Sequence, residues 1–425
     1  MADTLTTATA LRPQPVGAFP LPLGYMLIPV CDGGEEVRAA MLSGRLPDEW
    51  PPALEAHRLA LAGDRAGAVA ALDAADAGGD DPITRYNRFV LDPDGADPEA
   101  LRTELGEFAI LVDVVQFALG RTGTPPDGAV ADGELAAVAL AAQAGGALAD
   151  GDTSTALTLL DAAGRAAEPV SAPLAGILLG DAGAIGRDVA DPATQARLER
   201  ALKALAGADG LRVERAEIHL CLAGLLHEQA AQRPDLLAKA VPHYHSALQL
   251  VQRDDAPLVW AAAHSGLAAA YLTMPMAEAS SQLRLGVAAQ SLRSALTVYT
   301  RDDHLREWAS TQLNLANSLV YTPSRHHADN LVEAVELYEA VLETRDRDTD
   351  PLGRARVLAN QGNVLAHLGV FDEAKAKLYE ARFLFEELGD MDSVHTVRGV
   401  LDEVARQRAL ARTSDHSGAQ DDHRL

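Results

Sequence analysis

Apolar residues recur every three to four positions through nearly the whole chain, and no stretch alternates apolar with polar as a half-buried strand would. The pattern therefore predicts helices almost throughout. It is clearest at 358–390, LANQGNVLAHLGVFDEAKAKLYEARFLFEELGD. Leu365 and Leu368 give a first helix its apolar face, and Gly362 lets that helix lie close to a second. Gly369 ends it, and Asp372 is placed to cap the next. Ala374 and Ala381 keep two turns of the second helix thin, while Leu378, Phe383 and Phe385 are expected to fill the gaps.

Self-comparison extends this hairpin into a series of four. First helices begin near Ala216, Ala261, Ala309 and Ala355, and a small residue follows at Ala223, Ala268, Ala316 and Gly362. The second helices place Ala247, Ala295, Ala340 and Ala381 at the close-contact point. Three of them end in Arg-Asp: Arg253-Asp254, Arg301-Asp302 and Arg345-Asp346. Weaker echoes lie upstream, where Gly63, Asp64, Ala68 and Ala75 match Gly151, Asp152, Ala156 and Ala163. Pro82–Leu91 with Pro98–Leu119, and Pro173–Leu179 with Pro192–Leu205, read as further pairs, and Pro125–Gly133 as a linker. The segmentation expected is an irregular or flexible 1–45, degenerate hairpins over 46–205, and regular hairpins with a capping helix (Met391–Ala411) over 206–410. A disordered tail at 411–425 completes it.

The small-large-small spacing and the short turn at Gly369 resemble the tetratricopeptide repeat, whose usual period is about 34 residues. The longer period resembles the stretched repeats of large bacterial regulatory and signalling proteins. Some of those carry a caspase-like peptidase domain, but no unassigned segment here is long enough to hold one. The resemblance implies an all-α solenoid of stacked hairpins, non-catalytic, that binds a protein or peptide in a groove lined by its first helices. The run Ser281–Gly389 also looks like accessory repeat proteins encoded beside bacterial multi-subunit redox enzymes such as hydrogenases. That implies an alternative role as an assembly or maturation chaperone. A ligand- or peptide-sensing regulator is a third reading.

Composition narrows the partners. Lys and Arg total 36 against 61 Asp and Glu, a formal charge of −25, which disfavours nucleic acid because phosphate binding needs clustered cations. Aromatics are only 4%, so the core must be built mainly from Ala, Leu and Val. The two cysteines, Cys31 and Cys221, stand far apart and suggest no disulfide framework. No basic region precedes an apolar run at the N-terminus, and Leu21–Cys31 is about half a membrane span and holds two prolines. A cytoplasmic protein without membrane contact is expected, with self-association possible at an open end.

Candidate chemistry is sparse. Asn314 and Asn317 recur one hairpin later as Asn360 and Asn363, and residues three apart share a helix face. An amide both donates and accepts, so these four could hold a peptide backbone without reading its side chains. They could equally bond neighbouring helices to each other. Ser310, Tyr321, Arg356 and His367 lie on the same helix faces. Family members that clamp a terminal carboxylate pair Asn with Lys, but Leu313 and Ala359 occupy the lysine positions here. Ten of the 13 histidines fall between 219 and 395, including His243/His245 and His326/His327, without metal-ligand spacing. The glycine-rich stretches Gly145–Gly151 and Gly176–Gly186 lack a phosphate-loop lysine and read as inter-helix turns. Trp260 and Trp308 occupy equivalent starts of first helices, as packing residues or as contact points. No catalytic residue, metal site or cofactor is expected.

Overall fold

A computed structural model describes residues 14–15, 17–76, 81–128, 131–275, 281–322 and 326–421, with the backbone alone at 14–15, 281 and 410–421. Asp80 and residues 323–325 lie outside the described residues. Among the described residues the fold is all-α apart from one two-residue strand pair, and the chain divides into two compact units, Met1–Leu225 and Leu226–Leu425.

The first unit opens with β1 (Gln14–Pro15) antiparallel to β2 (Leu27–Ile28), Gln14 opposite Ile28. Six shorter helices follow: α1 (Gly34–Leu42), α2 (Glu55–Leu61), α3 (Arg65–Ala75), α4 (Pro82–Leu91), α5 (Pro98–Glu104) and α6 (Ala109–Ala118). Longer ones come next: α7 (Gly133–Ala149), α8 (Thr153–Ala167), α9 (Ala172–Asp188), α10 (Thr194–Ala204) and α11 (Arg212–Gln229), the last crossing the unit boundary. Sequential neighbours α2 with α3, α7 with α8, and α9 with α10 pack as hairpins.

The expectation of an irregular, flexible 1–45 is corrected from Gly17 onward. Phe19, Leu23, Met26, Leu27 and Ile28 are buried, and β2 is pinned from two helices. Asn87 accepts from the Leu27 amide at 2.7 Å and donates to its carbonyl at 2.8 Å, while His57 Nε2 reaches the same carbonyl at 3.0 Å. Because a carbonyl only accepts, that ring nitrogen carries the proton. Partners 30 to 60 residues away leave no local trace in the sequence.

Gly176–Gly186 is likewise not a turn but the interior of α9. Cβ atoms added there would stand 2.8 Å from Leu205 at Gly176, and 2.7 Å from Ile218 at Gly180. At Gly183 the space is taken by Leu198. The stripe lets α10 and α11 approach α9 closely. Of the second stretch, Gly145 and Gly146 are helical within α7, and only Gly151 turns, with φ +79°.

The second unit runs α12 (Leu236–Leu250), α13 (Pro257–Thr273), α14 (Ser281–Ala295), α15 (Leu305–Tyr321), α16 (His327–Leu342), α17 (Pro351–His367), α18 (Phe371–Leu388) and α19 (Met391–Asp421). Helices α13/α14, α15/α16 and α17/α18 form successive hairpins. The first-helix positions Ala261, Ala268, Ala309, Ala316 and Ala355 are buried, and a Cβ on Gly362 would stand 2.7 Å from Leu378 Cγ. In the second helices the buried set is small, large, small at intervals of four and three. It reads Ala240/Tyr244/Ala247, Ala288/Leu292/Ala295, Ala334/Tyr338/Val341 and Ala374/Leu378/Ala381. In the third hairpin the close-contact residue is therefore Val341 rather than the half-buried Ala340, because Val341 is seven residues beyond Ala334 as Ala381 is beyond Ala374.

Three further details differ from expectation. Phe383 is 50% exposed, because Leu378, Ala381, Leu384 and Phe385 take the inward face. Asp372 is not the cap of α18. That position falls to Val370, which makes no side-chain cap bond, and Asp372 pairs instead with Arg408 at 2.7 Å. Finally, α19 continues past Ala411 to Asp421, a stretch without the proline that would stop it.

Candidate functional site

First helices of the second unit present their polar faces side by side, and four asparagines meet there. Asn314 and Asn317 on α15, with Asn360 and Asn363 on α17, line one hollow of about 280 Å³. Tyr321 closes one side and is itself 66% exposed. Leu272 of α13, Leu285 of α14, Val320 of α15 and Val364 of α17 supply apolar wall, and Tyr338 of α16 completes it. By repeat register Asn360 corresponds to Asn314, yet it reaches Asn317, one turn further along α15.

The hydrogen bonds order this group. Tyr338 donates its hydroxyl to Asn317 Oδ1 at 2.7 Å, and Asn360 Nδ2 donates to the same oxygen at 3.2 Å. Burial, then the neighbouring Tyr321, raises the Tyr338 phenol above its ordinary range, so it keeps its proton and acts as a donor. No side-chain partner is found for Asn314 or Asn363 among the described residues. The two readings of the asparagines thus divide: Asn317 and Asn360 bond between helices, yet all four face one open hollow.

Three of the eight expected residues stand apart from it. Ser310 and Arg356 are exposed; the Arg356 charge adds to the bonds from Ser393 that lower the Asp390 carboxyl. His367 donates Nδ1 to the backbone carbonyl of Asn363 at 2.7 Å. Tyr338 is the residue that sequence reasoning missed. Its signal was available, because it is a large residue at a buried register position that carries a hydroxyl needing a partner.

Elsewhere the candidate residues have packing roles. Trp260 and Trp308 flank a cluster of Ala261, Ala295 and Tyr299. Trp260 meets the edge of His264 at 4.3 Å, and Arg301 lies over Trp308 at 5.7 Å. His245 bonds the Tyr271 hydroxyl at 3.0 Å, and His326 faces Asp329 at 3.4 Å. Among the described residues no group of three or more His, Cys, Asp or Glu could hold a metal ion, and no helix is long and apolar enough to cross a membrane. In the first unit a wider hollow of about 940 Å³ surrounds Trp50 with Glu36, Asp48, Glu49 and Asp209.

No family model matches this chain, and no curated protein does. Among solved structures it is similar to the tetratricopeptide-repeat domain of P58(IPK), at 16% identity and a TM-score of 0.27. That match covers 85% of this chain and 98% of the other.

Proposed function

We propose that this chain is a non-catalytic interaction scaffold of tetratricopeptide type, cytoplasmic, whose second unit holds an extended segment of a protein partner along α13, α15 and α17. The observation that carries this reading is the convergence of Asn314, Asn317, Asn360 and Asn363 on one hollow with an apolar wall. Amides there offer donors and acceptors to a bound chain, and Leu272, Leu285 and Val364 offer apolar contact. Each such bond contributes about 1 kcal/mol net, so a short segment is held modestly and a longer one through several hairpins. The test is capture of partners from the source cell by the full chain and by an Asn314→Ala/Asn360→Ala variant with an unchanged melting curve. Loss of the main captured protein is the expected result. Equal recovery would show that the asparagines serve the stack alone.

A further inference from the structure

We infer that the hollow is a seat for a primary amide, the side chain of Gln or Asn in an uncharged peptide segment; this rests on the groove reading above. The first argument is donor and acceptor bookkeeping. Asn317 Oδ1 accepts from both Tyr338 and Asn360, which fills its two lone pairs. That fixes the amide orientations: Asn317 turns its NH2 outward as a donor, and Asn360 keeps its Oδ1 as an acceptor. A donor and an acceptor so placed on adjacent, hydrogen-bonded amides match the edge of a primary amide, where C=O and one N–H point the same way. A single trans peptide group cannot satisfy both, because its C=O and N–H point in opposite directions. One extended residue can, as Leu27 does with Asn87, and the Leu peptide below separates that backbone capture from an amide seat.

The second argument is charge. Of all residues, 23% are charged, yet the described residues lining this hollow are four amides, two phenols and four aliphatics. An ionised side chain entering would leave water without a counter-charge. Leu272, Leu285, Val320 and Val364 would clasp the methylene stem of the incoming residue. The third argument is size. At about 280 Å³ the hollow falls at or below the roughly 300–1,000 Å³ of small-molecule sites, which suits one side chain with its backbone rather than a cofactor.

The experiment uses the full chain and N-acetylated, C-amidated nonapeptides in an Ala/Ser/Leu background, with Gln, Asn, Glu, Lys or Leu at the centre. Binding is read by fluorescence anisotropy at physiological salt. Gln or Asn should bind tightest, with Glu and Lys weaker by about tenfold or more. Asn360→Asp, at an exposed position, should move the preference to the Lys peptide, a change that a purely structural asparagine would not produce. If Glu, Lys or Leu peptides bind as well as Gln, and Asn314→Ala/Asn360→Ala still abolishes binding, the groove stands and the amide seat is overturned. If no peptide of the set binds, both fall. An Asn360→Asp variant with unaltered ranking also overturns the seat.

Discussion

Both units use small residues to bring helices together, but by different means. In the second unit one buried small-large-small set recurs along the second helices, and in the last hairpin the first helix meets it with Gly362, which receives Leu378. In the first unit, α9 carries four glycines, and three of them receive apolar residues from different places, Leu205, Ile218 and Leu198, while Gly186 meets Thr194. Their ion pairs differ in the same way. Arg293–Glu333, Arg301–Glu343 and Arg347–Glu387 link successive second-unit hairpins at 2.8, 2.8 and 3.1 Å, all substantially exposed. In the first unit Arg197, its side chain 9% exposed, is forked between Asp161 and Asp191 at 2.8 Å each. The first unit also has exposed pairs, such as Arg58–Glu55 and Arg121–Asp94, so Arg197 stands out as its one strongly sheltered fork among the described residues.

That contrast predicts its largest effect at Arg197. Arg197→Ala leaves two half-sheltered carboxylates facing each other, and should cost about 3 kcal/mol. Arg293→Ala removes an exposed pair and should cost under about 1 kcal/mol. Urea unfolding of the two variants beside the parent decides, and similar midpoints for both would erase the proposed distinction.

Acid should find the first unit by a second route. Burial lowers the His57 pKa to about 4 from its ordinary 6.5, against the raising effect of the Leu27 carbonyl. The unfolded chain then takes up a proton near pH 6.5 that the folded chain refuses until about pH 4. Stability from this group is complete above pH 6.5 and falls through that interval, by up to about 3 kcal/mol at 1.36 kcal/mol per unit. Asp181 has the opposite sign. Burial beside α11, and then the Glu217 charge, raise its carboxyl to about 6 from 3.8, so its ionised form weakens the fold above pH 6 and the strain is relieved as pH falls towards 4. In an Asp181→Asn background the acid loss should therefore steepen, and adding His57→Gln should flatten it. A pH series of urea midpoints in these variants tests both signs.

Legibility followed repetition. Ala261, Ala268, Ala309, Ala316 and Gly362 could be placed because each hairpin restates the same seat, and a residue misjudged in one copy is corrected by the others. The slip among these seats, Ala340 for Val341, came from matching alanines instead of the seven-residue interval. The asparagine group was legible for the same reason, and Tyr338 carried a signal of its own, a hydroxyl at a buried position, which the Leu292 and Leu378 of two other hairpins made look incidental. In the first unit nothing is restated. A glycine run reads alike as turn or as close-packed helix until Leu198, Leu205 and Ile218 are known to fill it. The burial of Leu27 depends on Asn87 and His57, which no local pattern connects to it.

Glycine substitutions separate the two roles of small residues. Gly362→Ala would press a Cβ to within 2.7 Å of Leu378 Cγ and 3.1 Å of the Ala374 carbonyl. Overpacking should outweigh the helix propensity gained, for a net loss of about 1–2 kcal/mol. Gly286, on α14, has nothing within 4 Å of a new Cβ, so Gly286→Ala should gain about 0.5–1 kcal/mol. Opposite signs in thermal unfolding are expected. A gain at both sites would mean that the α17–α18 contact yields freely and is no seat.

The smallest effect sharpens the comparison most, because it concerns one turn that both units share. Gly63, Gly151 and Gly369 each end a helix with φ near +79°, a conformation that glycine adopts without a Cβ penalty. The next residue caps the following helix with nearly the same backbone: Asp64 at φ −82°, ψ 77°, Asp152 at −89°, 75° and Val370 at −85°, 64°. The two aspartates accept from the Gly67 and Thr155 amides at 2.8 and 3.0 Å, whereas Val370 makes no such bond. The most regular hairpin thus has the poorest cap of the three. Val370 is 38% exposed, so Val370→Asp should fit and accept from the Glu373 amide. The gain should be only about 0.5 kcal/mol, low for an N-cap, because Asp372 and Glu373 already place negative charge in that first turn. A higher urea midpoint at unchanged slope is the expected result. A lower one would show that burial of the valine against the turn, and not the missing cap, is what this position contributes.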